Sequence, residues 1–515
     1  MAVSNYVSLK RNTLLLVASF SGPLACSGSD EPPATPGMGG AISAGGSFAS
    51  GGGSASGGAS ASTVTGGTTS AATGGSPSTG GRLAGTGGSP VAGGASSTGG
   101  LASATGGNAS GGAPPTGGAS PAGGAATGGK SSTGGSSAAT GGSSGILGTT
   151  PPMGWNSWNT FNCSPSDSLI RTIADAMVSS GMAAAGYQYV NIDDCWMNGR
   201  DASGNLRPDP TRFPNGISAV ATYVHSKGLK LGIYEVPAAV TCAGRGSFGA
   251  AAGVGSLGHE TADANSFASW GVDYLKYDYC WGTMSGFQVM KNALVATGRP
   301  IFYSVNPASG TGASCVPPSC SINLVSIANM WRIGFDISAS WTSVLSCIDL
   351  DKPLAPYAAP GHWNDPDMLE VGKGLSADED RAHFGIWAML AAPLIAGNDI
   401  RSMSATTKAI MTNPDVIAVN QDPLGKQATV VATPATNQEI WSKSLSGTNA
   451  RAVALFNRTE ASVSMTVQWT QIGIPAGAAT VRDLWNQQDL GAFTNSYTAT
   501  TVPRHGVVLL KIVSQ

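Results

Sequence analysis

From residue 150 onward the chain alternates short apolar β-type runs with stretches whose apolar positions recur at helical spacing. The runs are Tyr189-Val190-Asn191-Ile192, Leu229–Tyr234, Val272–Tyr277, Ile301–Val305, Ile327–Trp331 and Leu394–Ile400. Between them, Ser166–Ala185 opens on a capping-type serine and carries Ile170, Ile173, Met177 and Met182 on one helical face, and Ser285–Thr297 is a second such stretch. Strands alternating with helices predict a parallel sheet, and residues 148–425 have the length of a (β/α)8 TIM barrel. After Ala428 the helical spacing stops. The β runs Ala428–Ala432, Glu439–Lys443, Ala452–Phe456, Ser462–Trp469, Ala479–Leu484 and Gly506–Ile512 predict a small antiparallel β-sandwich over residues 426–515.

The first part of the chain has a different character. Residues 27–147 hold more than half of the 73 glycines, mostly in doublets such as Thr73-Gly74-Gly75, and their only aromatic side chain is Phe48. They lack the every-third-residue glycine of collagen and the apolar side chains that offset ordering entropy, which predicts a disordered low-complexity linker. As a flexible coil its span would be roughly 55–65 Å. Upstream, Lys10 and Arg11 precede the apolar run Thr13–Phe20, too short to cross a bilayer and suited to a signal peptide over residues 1–26. Leu24-Ala25-Cys26-Ser27 resembles a bacterial lipoprotein processing site, with Pro23 where that pattern usually has leucine. Export is expected, either to a lipid-anchored position at the cell surface through Cys26 or as a secreted protein. A net charge of -2 leaves no basic footprint for nucleic acid.

In a barrel, chemistry collects at the C-terminal ends of the strands, and here those ends carry aspartate. The candidates are Asp193 and Asp194 after the second strand, Asp278 after the fourth, Asp336 following Arg332 after the sixth, and Asp365 and Asp367 after the seventh. With a period of two, Lys276 and Asp278 share a face, and the ammonium favours the ionised carboxylate that a nucleophile requires. The bland alternatives are turn formers and caps, and Asp365-Pro366-Asp367 has the form of a helix cap. The histidines His225, His259, His362, His383 and His505 form no zinc spacing, no loop has calcium-ligand spacing, and no Gly-x-Ser-x-Gly elbow occurs in residues 150–425. No metal and no cofactor are expected. Trp and Tyr beside Asp and Arg are what sugar recognition asks of a pocket, and glycosidic cleavage needs two carboxyl groups. A carbohydrate-binding protein without turnover is the alternative, and the presence of both carboxylates argues against it.

Several strings together resemble the α-galactosidase (melibiase) family of retaining glycoside hydrolases, glycoside hydrolase family 27. They are Thr150–Trp158, Ile192–Trp196, Leu231–Tyr234, Thr241–Gly244, Leu275–Asp278, Trp363–Leu369 and Ala418–Lys426. The resemblance implies that Asp278 is the nucleophile and Asp336 the acid/base, whose pKa burial or its carboxylate neighbour would have to raise. It further implies that Asp193 and Asp194 hold the 4- and 6-hydroxyls of galactose, that Trp158 is a stacking wall, and that Tyr234, Lys276 and Arg332 are further sugar contacts. It pairs Cys163 with Cys195 and Cys242 with Cys280, leaving Cys315, Cys320 and Cys347 unassigned, one of them free if Cys26 is lipidated. The implied substrate is a galactose-containing oligo- or polysaccharide. Two departures stand out: Val305-Asn306-Pro307 where the family carries Glu-Trp after Tyr303-Ser304, and Glu235-Val236-Pro237 after Tyr234. Asn306 would then face the 2-hydroxyl with a neutral amide. The resemblance therefore also admits β-L-arabinopyranosidase, α-N-acetylgalactosaminidase and isomaltodextranase activities.

Overall fold

The structure, a computed structural model, describes residues 146–245, 253–280, 282–307 and 323–515. The expectations for Cys26, for nearly all of the Gly-rich linker and for Cys315 and Cys320 fall outside those residues. Eight parallel strands form one sheet: β1 (Met153–Asn156), β2 (Tyr189–Asn191), β3 (Lys230–Glu235), β4 (Tyr274–Asp278), β5 (Phe302–Asn306), β6 (Met330–Arg332), β7 (Trp363–Asp365) and β8 (Leu394–Ala396). Their spatial order is β8-β1-β2-β3-β4-β5-β6-β7, and a parallel bridge from Leu369 to Ala396 joins the two ends of the circuit. The register sets Asp278 beside Asn306 and Arg332 beside Asp365. Residues far apart in sequence thereby arrive at one rim.

The strands are short, three to six residues, and covered on both faces, so each reads as a brief, mostly apolar run. The helix Asp167–Ser179 packs Leu169, Ile170, Ile173, Ala174 and Met177 inward, and Ser166 Oγ accepts the Leu169 N–H at 3.2 Å as its N-cap. Two expectations needed correction. Ile327 belongs to a short helix, Leu324–Ile327, and the strand begins only at Met330. The Asp365-Pro366-Asp367 string caps no helix, because the next helix spans Ala377–Leu390 and is capped by Ser376 in a capping box with Glu379.

The C-terminal part contains strands β9 (Thr429–Ala435), β10 (Gln438–Ser444), β11 (Ala450–Asn457), β12 (Val463–Gln468), β13 (Ala478–Asp483), β14 (Gln488–Thr494), β15 (Ser496–Val502) and β16 (Val507–Ser514). A six-stranded antiparallel sheet, β9-β10-β11-β16-β13-β14, faces the pair β12-β15. The strand β14 had no apolar signal because most of its side chains are exposed, and β15 buries only Ala499 and Val502. In β11, Val453 and Leu455 enter the sandwich core, while Ala452, Ala454 and Phe456 join the barrel core. The period of two thus glues the sandwich to the barrel through one strand.

Candidate active site

A cavity of about 350 Å³ opens at the C-terminal ends of the barrel strands. Its floor is built from β2, β3, β4, β5 and β6: Asp193, Asp194, Tyr234, Lys276, Asp278, Asn306 and Arg332 all line it, with Trp158 to one side. Asp336 lines it too, but from the rim, with its side chain 75% exposed. Asp365 and Asp367 lie beneath this floor around a small internal void lined also by Lys276, Asn306 and Arg332.

Lys276 organises the floor. Its Nζ donates to Asp193 Oδ2 at 2.8 Å and lies 5.4 Å from the centre of the Tyr234 ring. Burial disfavours its charge, but Asp193 and Asp278 outweigh burial and hold the ammonium protonated. Asp193 Oδ2 also accepts Asn156 Nδ2 at 2.8 Å, so this carboxylate is oriented from two strands. Asp194 accepts the backbone N–H of Cys195 at 2.6 Å and of Ala243 at 2.8 Å. Burial raises its pKa, and those N–H donors oppose the rise. Tyr234 donates its hydroxyl to Asp278 Oδ2 at 3.2 Å.

The two central carboxylates differ in a direction opposite to the local reading of the sequence. Burial pushes Asp278 up to about 6; Lys276 pulls the value down, and Asp336 and Asp193 push it up again. The ammonium at i-2 acts as expected but is outweighed by loss of water. Asp336 is held below the usual carboxylate range, chiefly by Arg332, whose Nη2 lies 3.1 Å from its Oδ1. Burial opposes that cation but Arg332, with Lys276 behind it, outweighs it, so the expected raised pKa is absent.

Arg332 is itself held by Asp367, whose Oδ2 lies 2.7 Å from Nη2 and also accepts the Ile337 N–H at 2.9 Å. Asp365 Oδ1 accepts the Asp367 N–H at 2.9 Å, and burial raises Asp365 to about 6. Asp367 adopts φ +90°, a conformation rare for a residue with a side chain. Cys195 at +72° and Cys280 at +27° do the same at the same rim. Such backbone strain concentrates at functional sites.

Cys163 and Cys195 form one disulfide, Cys242 and Cys280 another, with Cα separations of 5.0 and 5.1 Å. Cys347 is free and buried. The one group of potential metal ligands among the described residues, Cys242, Asp278 and Cys280, has both sulfurs tied in a disulfide and offers no thiolate. Glu235 points away from the cavity: it is fully buried, its Oε2 accepts the Val236 N–H at 3.0 Å, and burial drives its pKa well up. That departure from the family pattern therefore does not alter the lining. Sequence reasoning did not single out Asn156, Asn159, Phe335 and Met368; the last three line the cavity and Asn156 aims Asp193. Asn156, at the end of the unmarked strand β1, carried no local signal; Phe335 was signalled by standing next to Asp336.

Comparison with known proteins agrees along the described chain. Residues 150–422 match the family model for alpha galactosidase A, and residues 435–512 match that for the alpha galactosidase C-terminal beta sandwich domain. An alpha-galactosidase of Cyamopsis tetragonoloba is 47% identical over 347 residues, covering 66% of this chain and 80% of the relative. The alpha-galactosidase A of Cellvibrio japonicus is 42% identical over 392 residues, covering 71% and 92%. Among solved structures, alpha-galactosidase I of Mortierella vinacea superposes with a TM-score of 0.65 at 36% identity, covering 72% of this chain and 99% of that one.

Proposed function

We propose, from the premise that this chain belongs to the α-galactosidase family of glycoside hydrolases, that Asp278 and Asp336 carry out a two-step displacement with retention of anomeric configuration. The overall reaction is the release of terminal α-D-galactosyl residues from galactose-containing oligosaccharides. In the first step an Asp278 oxygen bonds to the anomeric carbon as the glycosidic C–O bond breaks, and Asp336 gives its proton to the leaving oxygen. In the second, water attacks that carbon, gives a proton to Asp336 and releases Asp278.

The resting protonation of the site has a consequence for this scheme. Asp336 is ionised while water surrounds it and must acquire its proton when substrate displaces that water, since desolvation raises a carboxyl pKa. Conversion of Asp278 to a neutral ester then removes the repulsion between the two carboxylates and lowers the pKa of Asp336. The acid of the first step becomes the base of the second. Asp193, Asp194 and Lys276 supply charged acceptors and a donor for the sugar hydroxyls, Arg332 adds a donor at the scissile side, and Trp158 offers an apolar face. Asn306, in register with Asp278, is assigned to the substituent at the neighbouring ring carbon.

The observation that carries this reading is the convergence of Asp278, Asp336 and Lys276 on one cavity from strands β4 and β6. A panel of chromogenic glycosides tests it, with α-D-galactoside expected as the best substrate. No turnover of that sugar alongside clear turnover of another would shift the assignment to a related sugar. The amide of Asn306 favours that second reading over the first only at the 2-position, so α-N-acetylgalactosaminide and β-L-arabinopyranoside belong in the panel. We read export, with residues 27–147 as a tether from a lipid-modified Cys26. Membrane fractionation of Cys26→Ser, expected to release the enzyme, tests the anchor.

A further inference from the structure

We propose that Phe335 is the platform for the leaving group and selects substrates in which the galactosyl unit is attached to another pyranose. The inference rests on the assignment of Asp336 as the proton donor. Exposure grades the cavity by depth: Asp193, Asp194, Tyr234, Asn306 and Arg332 are buried, whereas Phe335 is 57% exposed. The sugar that is cleaved off enters the floor, where the charged acceptors are. Whatever it is bonded to must pass the proton donor, because the glycosidic oxygen lies between the two. The residue adjoining Asp336 on that outward path is Phe335, which lines the same cavity.

Among the described residues Phe335 is the one aromatic side chain in the set of exposed large hydrophobics. A phenyl ring left in water forgoes stabilisation that burial would supply, and here it stands at the mouth of a sugar-binding cavity. A pyranose presents a patch of C–H bonds that fits an aromatic face, as the galactosyl ring would fit Trp158. The ring is also preset. The segment carrying it is fixed on both sides, by Ile333 N–H donating to Asp365 O at 3.1 Å and Ile337 N–H donating to Asp367 Oδ2 at 2.9 Å. Gly334 lies between these two anchored residues. With Ile333 and Ile337 both tied to the seventh strand and the loop after it, Phe335 is held exposed between them, with little left to order when a ligand arrives.

The test compares two substrates on the whole enzyme: an α-galactosyl disaccharide, and α-D-galactosyl fluoride, whose leaving group has no ring to stack. For Phe335→Ala, the ratio of kcat/KM on the disaccharide to kcat/KM on the fluoride should fall roughly tenfold, the equivalent of one aromatic stacking contact. The loss should appear in KM more than in kcat, and Phe335→Trp should restore the ratio. An unchanged ratio in Phe335→Ala, including a uniform loss on both substrates, overturns the proposal. Failure of the unaltered enzyme to hydrolyse the fluoride overturns instead the α-galactosidase reading on which the proposal stands.

Discussion

Two regions of this molecule bury charge, and they use it to opposite ends. At the cavity floor, carboxylates crowd around Lys276 and Arg332, and Asp278 and Asp365 are both pushed up to about 6 by burial. At the seam between barrel and sandwich, charges reach across the join. Arg458 of the sandwich bridges Glu439 at 2.9 Å and Asp349 of the barrel helix Trp341–Asp351 at 2.7 Å, and His505 bridges Glu379 at 2.7 Å. Lys443 of β10 donates to the Ala388 carbonyl at 3.0 Å, and burial lowers its pKa to about 7. The floor keeps acids in unfavourable surroundings because reactivity depends on them; the seam pairs Arg458 with two carboxylates and gives Lys443 a carbonyl acceptor, and docking depends on those contacts. Function and stability should therefore respond separately to substitutions in the two places.

The largest expected effect is at the floor. Asp278→Asn should lower kcat/KM on the order of 10,000-fold and abolish covalent labelling by a mechanism-based galactosyl inhibitor. Because a carboxyl with a raised pKa costs stability once ionised, the same variant should melt a few degrees higher at pH 7 by calorimetry. A lower melting temperature would break the contrast. Next, Asp336→Asn should reduce disaccharide turnover by about 100- to 10,000-fold and galactosyl fluoride turnover far less, since fluoride departs without a proton. Equal losses would remove the acid role.

The titration of the floor gives the third expectation. A folded-state value near 6 for Asp278 means that the nucleophile becomes protonated as pH falls through 6, so kcat/KM should drop about tenfold per pH unit below that point. A profile flat to pH 4 would contradict it. At the seam, Arg458→Ala should cost roughly 2–3 kcal/mol of stability in denaturant unfolding while kcat/KM stays at the level of the unaltered enzyme. The last expectation concerns Lys443. Its folded pKa of about 7 lies below the unfolded value of about 10.4, so the folded chain holds fewer protons between those limits. Stability from this group rises as pH climbs from 7 towards 10.4. Lys443→Met should flatten that part of the melting-temperature profile, and an unaltered slope would assign the titration elsewhere.

Much of the site was legible because its residues stand at the ends of short apolar runs. The strand β4, Tyr274–Asp278, announces both its period and its terminal carboxylate in five residues. The helix Asp167–Ser179 was legible from its capping serine and its apolar face. What stayed hidden lacked a local signal. The strand β1 is only Met153–Asn156, β14 is mostly exposed and β15 buries only two residues, so neither apolar runs nor clean alternation marked them. Asp365 and Asp367 looked like a cap because Asp-Pro-Asp is cap chemistry wherever a helix follows at once; here nine residues, 368–376, intervene before the helix.

The sequence by itself determined which groups are present near the strand ends, that a β-sandwich follows the barrel, and that two carboxylates with a lysine and an arginine would be available. Those properties follow from backbone periodicity and side-chain type, which act over a few residues. Only the tertiary structure decided the order of protonation, with Asp278 raised and Asp336 lowered, and the depth ordering that leaves Phe335 at the mouth. Desolvation and Coulomb interaction depend on distance in space, and β1 to β7 bring their charges together across more than two hundred residues of chain.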